Sequence, residues 1–176
     1  MKIRIKFRKY GTMKFIGHLD VMRYFQKAIR RSEVNIRYSE GFSPHQIMSF
    51  AAPLGVGITS KGEYVDIEVL DTENSKKMID RLNAVMSEGF EILEYKLLPD
   101  DAANAMSIVA AADYSLVFRP GYEPEKESPE EWFEKLVRFF DADHVMIMKK
   151  TKKGEREMNL KPFVYELKVR KEGEIP

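Results

Sequence analysis

Apolar and charged residues alternate strictly where the chain begins. Ile3, Ile5 and Phe7 point one way and Lys2, Arg4, Lys6 and Arg8 the other, the two-residue period of a half-buried strand. After a connection at residues 11–17 the period becomes helical. Leu19, Met22, Phe25 or Gln26, and Ile29 recur at helical spacing from His18 to Arg31 and are expected to face the sheet, while Arg23, Lys27, Arg30 and Arg31 take another side. A short strand is predicted at 34–39 and a longer one at 64–70. The two dozen residues between them hold Gly41, Pro44, Pro53, Gly55, Gly57 and Gly62. A connection this long inside a domain is usually functional or disordered, and its apolar content (Phe42, Ile47, Met48, Phe50, Leu54) argues for order. A helix at 74–86 follows, with Met78, Ile79, Leu82 and Val85 inward and Gly89 at its stop, and then a strand at 90–97. The order β-α-β-β-α-β is that of a ferredoxin-like split βαβ domain.

Pro99-Asp100-Asp101 marks a boundary, so the expected domains are 1–99 and 100–176. In the second, residues 102–112 read as a short helix or linker and 114–118 as a strand. Ser128-Pro129-Glu130-Glu131 is a capping box with proline at the first helical position, opening a helix whose apolar face is Trp132, Phe133, Leu136, Val137 and Phe140. Strands at 145–148 and 163–169 are expected on either side of a basic hairpin tip at 149–154. The predicted class is α+β: a ferredoxin-like βαββαβ domain followed by a second, incomplete ferredoxin-like βαββ unit.

No apolar run reaches the roughly 18 residues of a membrane span, and the alternating N-terminus has no signal-peptide block. There is no cysteine, which excludes disulfides and a protein-ligated iron–sulfur cluster and fits a cytoplasmic protein. The net charge of +1 conceals a division. Residues 1–50 hold 11 Lys/Arg against 3 Asp/Glu, a net +8, and the remainder is −7. A basic first part suggests an anionic partner there. Four cations on one strand face, Arg4 and Arg8 among them, read either as a solvated sheet face or as a polyanion track.

No set of residues has metal-ligand spacing: His18 and Asp20 do not share a helix face, and no HExxH or paired-carboxylate motif occurs. Gly55-Val56-Gly57 opens no helix and is no phosphate loop. Acid–base candidates are His18, His45 and Tyr38, which with Arg23 would supply the base, acid and cation of a metal-independent ribonuclease. A histidine at a helix start is, however, more often structural, whereas His45, beside Pro44 in a long loop, has less reason to be packed. Aromatic residues interleave with the cations; Phe7 and Phe50 are expected in the core, and Tyr10, Tyr38 and Phe42, near turns, as platforms for unstacked bases.

The stretch HLD-x-MR-x(5)-AIRR, followed by YSEGFSPH, SFA-x-PL-x-VG and S-x-GEY, resembles the bacterial radical-SAM-linked domain family of unknown function, and the resemblance covers most of the chain. Members are typically fused to, or encoded beside, a radical SAM protein, often near a ribonuclease G type enzyme and ribosomal proteins. This implies a role around RNA or ribosome modification or maturation, with the iron–sulfur cluster and SAM on the partner and no cofactor on this chain. His18, Asp20, Arg23, Arg30, Arg31, Tyr38, Ser39, Gly41, Phe42, Pro44, His45 and Glu63 match motif positions. Asn159-Leu160-Lys161-Pro162 departs from an acidic-then-basic family pattern, and the resemblance implies a longer tail than this one.

The function expected is an RNA-binding or substrate-presenting partner of a radical SAM protein. Its RNA- or anion-binding surface would comprise Arg4, Arg8, Arg23, Lys27, Arg30, Arg31, Tyr38, Ser39, Phe42 and His45. The alternatives are a metal-independent endoribonuclease using His18 and His45, and a protein-interaction adaptor that needs no RNA.

Overall fold

A computed structural model describes residues 1–152 and 154–170. The chain divides into two compact units, Met1–Asp113 and the residues from Tyr114 on; the division lies fourteen residues beyond the Pro99 boundary read from the sequence. Both are mixed α+β, with an antiparallel sheet of four strands in the first and of two in the second.

The first unit runs β1 (Lys2–Lys9), α1 (His18–Arg31), β2 (Met48–Phe50), β3 (Ser60–Glu68), α2 (Ser75–Val85), β4 (Phe90–Leu98) and a one-turn α3 (Ala105–Ile108). The sheet order is β2-β3-β1-β4, and every neighbouring pair is antiparallel. β1 is central because its Ile3, Ile5 and Phe7 side is completely buried. α1 packs there through Phe25, whose ring lies 4.6 Å from Phe7 and 5.5 Å from Phe50, and α2 adds Met78 and Leu82. Asn74 caps α2 by accepting from the Lys77 N–H at 3.0 Å, which satisfies one of the donors every helix start leaves open.

Two expectations for this unit change. The inward side of α1 is Val21, Phe25, Ala28 and Ile29, while Leu19 is 62% exposed; Val21, not Leu19, leads the helical repeat that reaches the sheet. Residues 34–39 form no strand and make only isolated bridges, Ile36 to Val69 and Tyr38 to Gln46. The second strand of the sheet is Met48–Phe50, inside the predicted connection.

The second unit contains α4 (Pro129–Asp141) and the hairpin β5 (Met146–Thr151) and β6 (Gly154–Asn159). The capping box forms as the sequence predicts. The βαββ order does not. Residues 114–118 and 164–169 join no sheet, and the partner of β5 is Gly154–Asn159, which immediately follows the turn. Alternation at 163–169 signals a strand but not a pairing partner, and the adjacent segment reaches β5 at the lowest loop-closure cost. Lys153, in the predicted basic tip, lies outside the described residues. Asn159 holds the base of the hairpin together, since its Oδ1 accepts from the Val145 N–H at 2.9 Å and the Lys161 N–H at 3.1 Å.

Candidate functional site

Lys2, Arg4, Lys6 and Arg8 of β1 occupy the sheet side opposite the one α1 packs on, as the two-residue period dictates. There they are held by the protein's own acceptors. Arg4 makes a two-pronged bond to Asp66 (2.8 and 2.9 Å) and a third to the Ala103 carbonyl. Lys6 pairs with Glu94 at 3.1 Å, Arg8 with Glu91, and Lys2 donates to the Asp100 carbonyl at 2.6 Å. The hydrogen bond to Asp66, aided by its charge, holds the Arg4 guanidinium above its ordinary value. Glu94 does the same for Lys6. A shallow cleft of about 230 Å³ between Arg4, Lys6, Tyr64, Glu94 and Lys96 remains on this side. Arg4 and Arg8 are thus not part of one pocket with α1 and the His45 turn: they lie behind the sheet, already paired.

On the other side, α1 and the loop at 38–46 do meet. Gly41, at φ +104°, turns the loop back on itself, a conformation that glycine reaches without strain. Its base is clasped by Ser39, whose hydroxyl lies 2.9 Å from His45 Nδ1 and accepts from the His45 N–H at 3.1 Å, while the Ser39 N–H donates to the His45 carbonyl at 2.8 Å. The buried Gln46 then reaches α1, its Nε2 donating to the Gln26 carbonyl at 3.3 Å and to the Tyr38 hydroxyl at 3.4 Å. Phe42, at the tip, is fully exposed and Tyr38 is 46% exposed.

Arg23, Lys27 and Arg30 stand on the α1 turns around Gln26, at the three- and four-residue spacing that aligns side chains along a helix. Lys27 and Arg30 have no ion-pair or hydrogen-bond partner among the described residues, and both are exposed. Arg23 has a long contact with Asp20, 3.5 Å, with both side chains mostly in solvent. Arg31 is diverted: it donates to the Val85 carbonyl at 3.0 Å and ties α1 to α2. The Gln46–Gln26 bond thus brings the loop carrying Tyr38, Ser39, Phe42 and His45 against the helix that carries Arg23, Lys27 and Arg30, and this is the candidate site.

His18 does not join it. Gln26 lies eight residues along α1 from His18, about 12 Å at the helical rise, and His45 is turned onto Ser39. His18 instead sits edge-on to Phe50, ring centroids 5.4 Å apart, at a second cluster, of which the sequence motifs single out His18 and Glu63 but not Lys9. Lys9 continues the Ile3-Ile5-Phe7 side of β1 and is 1% exposed. Its Nζ donates to the Ile16 carbonyl at 3.0 Å. Burial pulls its pKa below the ordinary lysine value, against the opposing pull of Glu63. Lys9, His18 and Glu63 line one cavity of about 10 Å³, walled by Phe7, Val21, Phe50 and Leu54, which is room for about one water. The signal that could have found it is the strand period itself, carried one residue further. Among the described residues no group of three or more His, Asp or Glu is arranged to hold a metal ion.

A family model described as an uncharacterized protein conserved in bacteria (DUF2344) matches residues 2–175, and the chain belongs to that family. No curated protein matches it. No helix among the described residues is long and apolar enough to cross a membrane.

Proposed function

We propose that the first unit is a ferredoxin-like βαββαβ domain and that it binds single-stranded RNA along α1 and the 38–46 loop. On this reading it presents the RNA to a radical SAM protein in the cytoplasm, where the partner carries the iron–sulfur cluster and SAM. The strand order β2-β3-β1-β4, with one helix in each crossover, supports the fold assignment. The observation that supports the functional reading is the Gln46–Gln26 link, which joins the loop carrying the exposed Phe42 to the helix carrying the unpartnered Lys27 and Arg30. Cations that track phosphates beside an aromatic on which a base can stack are the parts of a single-strand platform. Lys27, Arg30 and Arg23 take phosphates, Phe42 and Tyr38 take bases, and the clasp of Ser39 and His45 fixes the tip.

Crosslinking in the native host, followed by sequencing of attached RNA, tests this reading. Recovery of a defined RNA, lost in Phe42→Ala, is the expected result; a crosslinked protein free of RNA contradicts it. The adaptor alternative is separated by nuclease treatment: co-purification of a radical SAM protein that survives complete RNA digestion favours docking on protein alone. The ribonuclease alternative is tested by incubation with total RNA and EDTA: no cleavage, or cleavage unchanged in His45→Ala, removes it.

A further inference from the structure

β4 has β1 on one side and no strand on the other. A strand edge left open in this way is a template for another chain unless something blunts it. Here only the first part is blunted. The Asn83 side chain reaches from α2 and copies the bonds of a neighbouring strand: its Oδ1 accepts from the Ile92 N–H at 2.8 Å and its Nδ2 donates to the Ile92 carbonyl at 3.0 Å. Leu93, next along, is the extra residue of a bulge, since Phe7 pairs with Ile92 and Lys6 with Glu94. From Glu94 to Leu98 the strand is regular, and among the described residues no side chain or loop bonds to its outer side. Glu94 is mostly exposed, Lys96 is exposed without an ion-pair partner among the described residues, and Leu97 is a large apolar side chain at 54% exposure.

We propose that this edge pairs with β4 of a second copy of the chain, antiparallel and centred on Tyr95, so that two four-stranded sheets become one. Charge selects the partner and the register. A two-fold axis through Glu94 or through Lys96 would set like charges face to face, which is unfavourable. An axis between two residues would turn the buried side of one strand toward the exposed side of the other. Through Tyr95, the axis sets Glu94 opposite Lys96 twice and Leu93 opposite Leu97 twice, and it keeps both buried Tyr95 rings on the same side of the joined sheet. The contact is isologous and closes as a dimer, each copy giving the other one carboxylate and one ammonium. Glu94 already receives Lys6 at 3.1 Å and, as a carboxylate, has acceptor sites left for a second cation. Lys96 gains its counter-ion only in the dimer. The Asn83 amides end the ladder, because Ile92 stands opposite Leu98 of the second copy. The ladder is short, so the association is reversible and concentration-dependent. It lies on β4, apart from the α1 surface, and does not rest on the RNA reading.

Sedimentation velocity of the native full chain over a range of concentrations is the test, and a monomer–dimer equilibrium is the expected result. Lys96→Glu and Glu94→Lys each turn both cross-copy pairs into like-charge pairs. Either should weaken self-association by about tenfold or more with an unchanged circular dichroism spectrum. Mixing the two variants puts opposite charges face to face again and should bring the dimer back. In the native protein, carbodiimide coupling of mixed light and heavy-nitrogen-labelled chains should join Glu94 of one copy to Lys96 of the other, read by peptide mass mapping. A native chain still monomeric at about 1 mM overturns the proposal. So does a dimer that neither variant weakens, a loss that mixing does not reverse, or a dimer in which that crosslink is absent.

Discussion

Lys9 shows at the scale of one residue how burial and charge oppose each other. Its folded-state pKa is lowered, chiefly by desolvation, so the folded chain binds fewer protons there than the unfolded chain once the pH enters the window between the two values. Stability therefore rises with pH through that window, and the full cost of the buried ammonium is felt below it. The difference in urea midpoint between Lys9→Met and the native protein should accordingly move in favour of the native protein from pH 7 to about pH 10.5. A difference that does not change with pH would mean that Lys9 is charged equally in both states. Arg4 is the opposite case: an ion pair with both side chains mostly buried, 16% and 14% exposed. Arg4→Ala leaves Asp66 only the Ala105 N–H, at 2.7 Å, and should cost about 2 kcal/mol in chemical denaturation while leaving RNA affinity unchanged. Arg4 and Lys9 also mark what one strand pattern conveys. The period of two places each of them on its side of the sheet, but whether a cation is spent on a neighbour depends on Asp66 and Ala103, remote in sequence and brought alongside only by folding.

Elements are legible where their signals are local. The limits of α1 and the cap of α4 follow from spacing and capping chemistry, and Asn74 caps the start of α2; its end is Val85, with Met86 as the cap, short of the Gly89 that the sequence suggests. Where pairing decides, the pattern falls short. Residues 114–118 and 163–169 alternate like strands, yet the segment that pairs with β5 is the polar Gly154–Asn159. The loop at 38–46 is conspicuous in the sequence for its glycine, proline and histidine. The link that seats it joins the Gln46 side-chain amide to the main-chain carbonyl of Gln26, and no sequence pattern marks such a bond. Gly89 makes a direct test of the turn before β4. Its φ is +101°, and a Cβ there would lie 2.9 Å from the Tyr10 carbonyl oxygen as well as against Met13. Gly89→Ala should lower stability by about 2 kcal/mol or more, seen as a lower melting temperature. An unchanged melting temperature would show that the turn relaxes freely. Phe42→Ala, at a tip that packs on nothing, should alter stability by no more than about 0.5 kcal/mol and still weaken RNA binding by about 1–3 kcal/mol, the range for one lost stacking contact.

Over the whole molecule, core and charge are unevenly shared. Of the buried apolar residues described, all but Val145 belong to the first unit, and so do the basic stretch and both candidate sites. The 1–113 fragment should therefore unfold cooperatively and retain RNA binding; a fragment that is unfolded in isolation would show that the first core is insufficient. The division of charge between residues 1–50 and the rest points to an anionic partner, but folding redistributes it: Arg4, Lys6 and Arg8 of β1 are paired from within, while Lys27 and Arg30 on α1 have no partner among the described residues. The measurement that bears most directly on this is filter binding of single-stranded RNA against salt concentration, for the native protein and for Lys27→Ala/Arg30→Ala. Loss of two phosphate contacts predicts a logarithmic salt slope shallower by about 1.4. The same slope in both proteins, or no binding by the native protein at low salt, would contradict it.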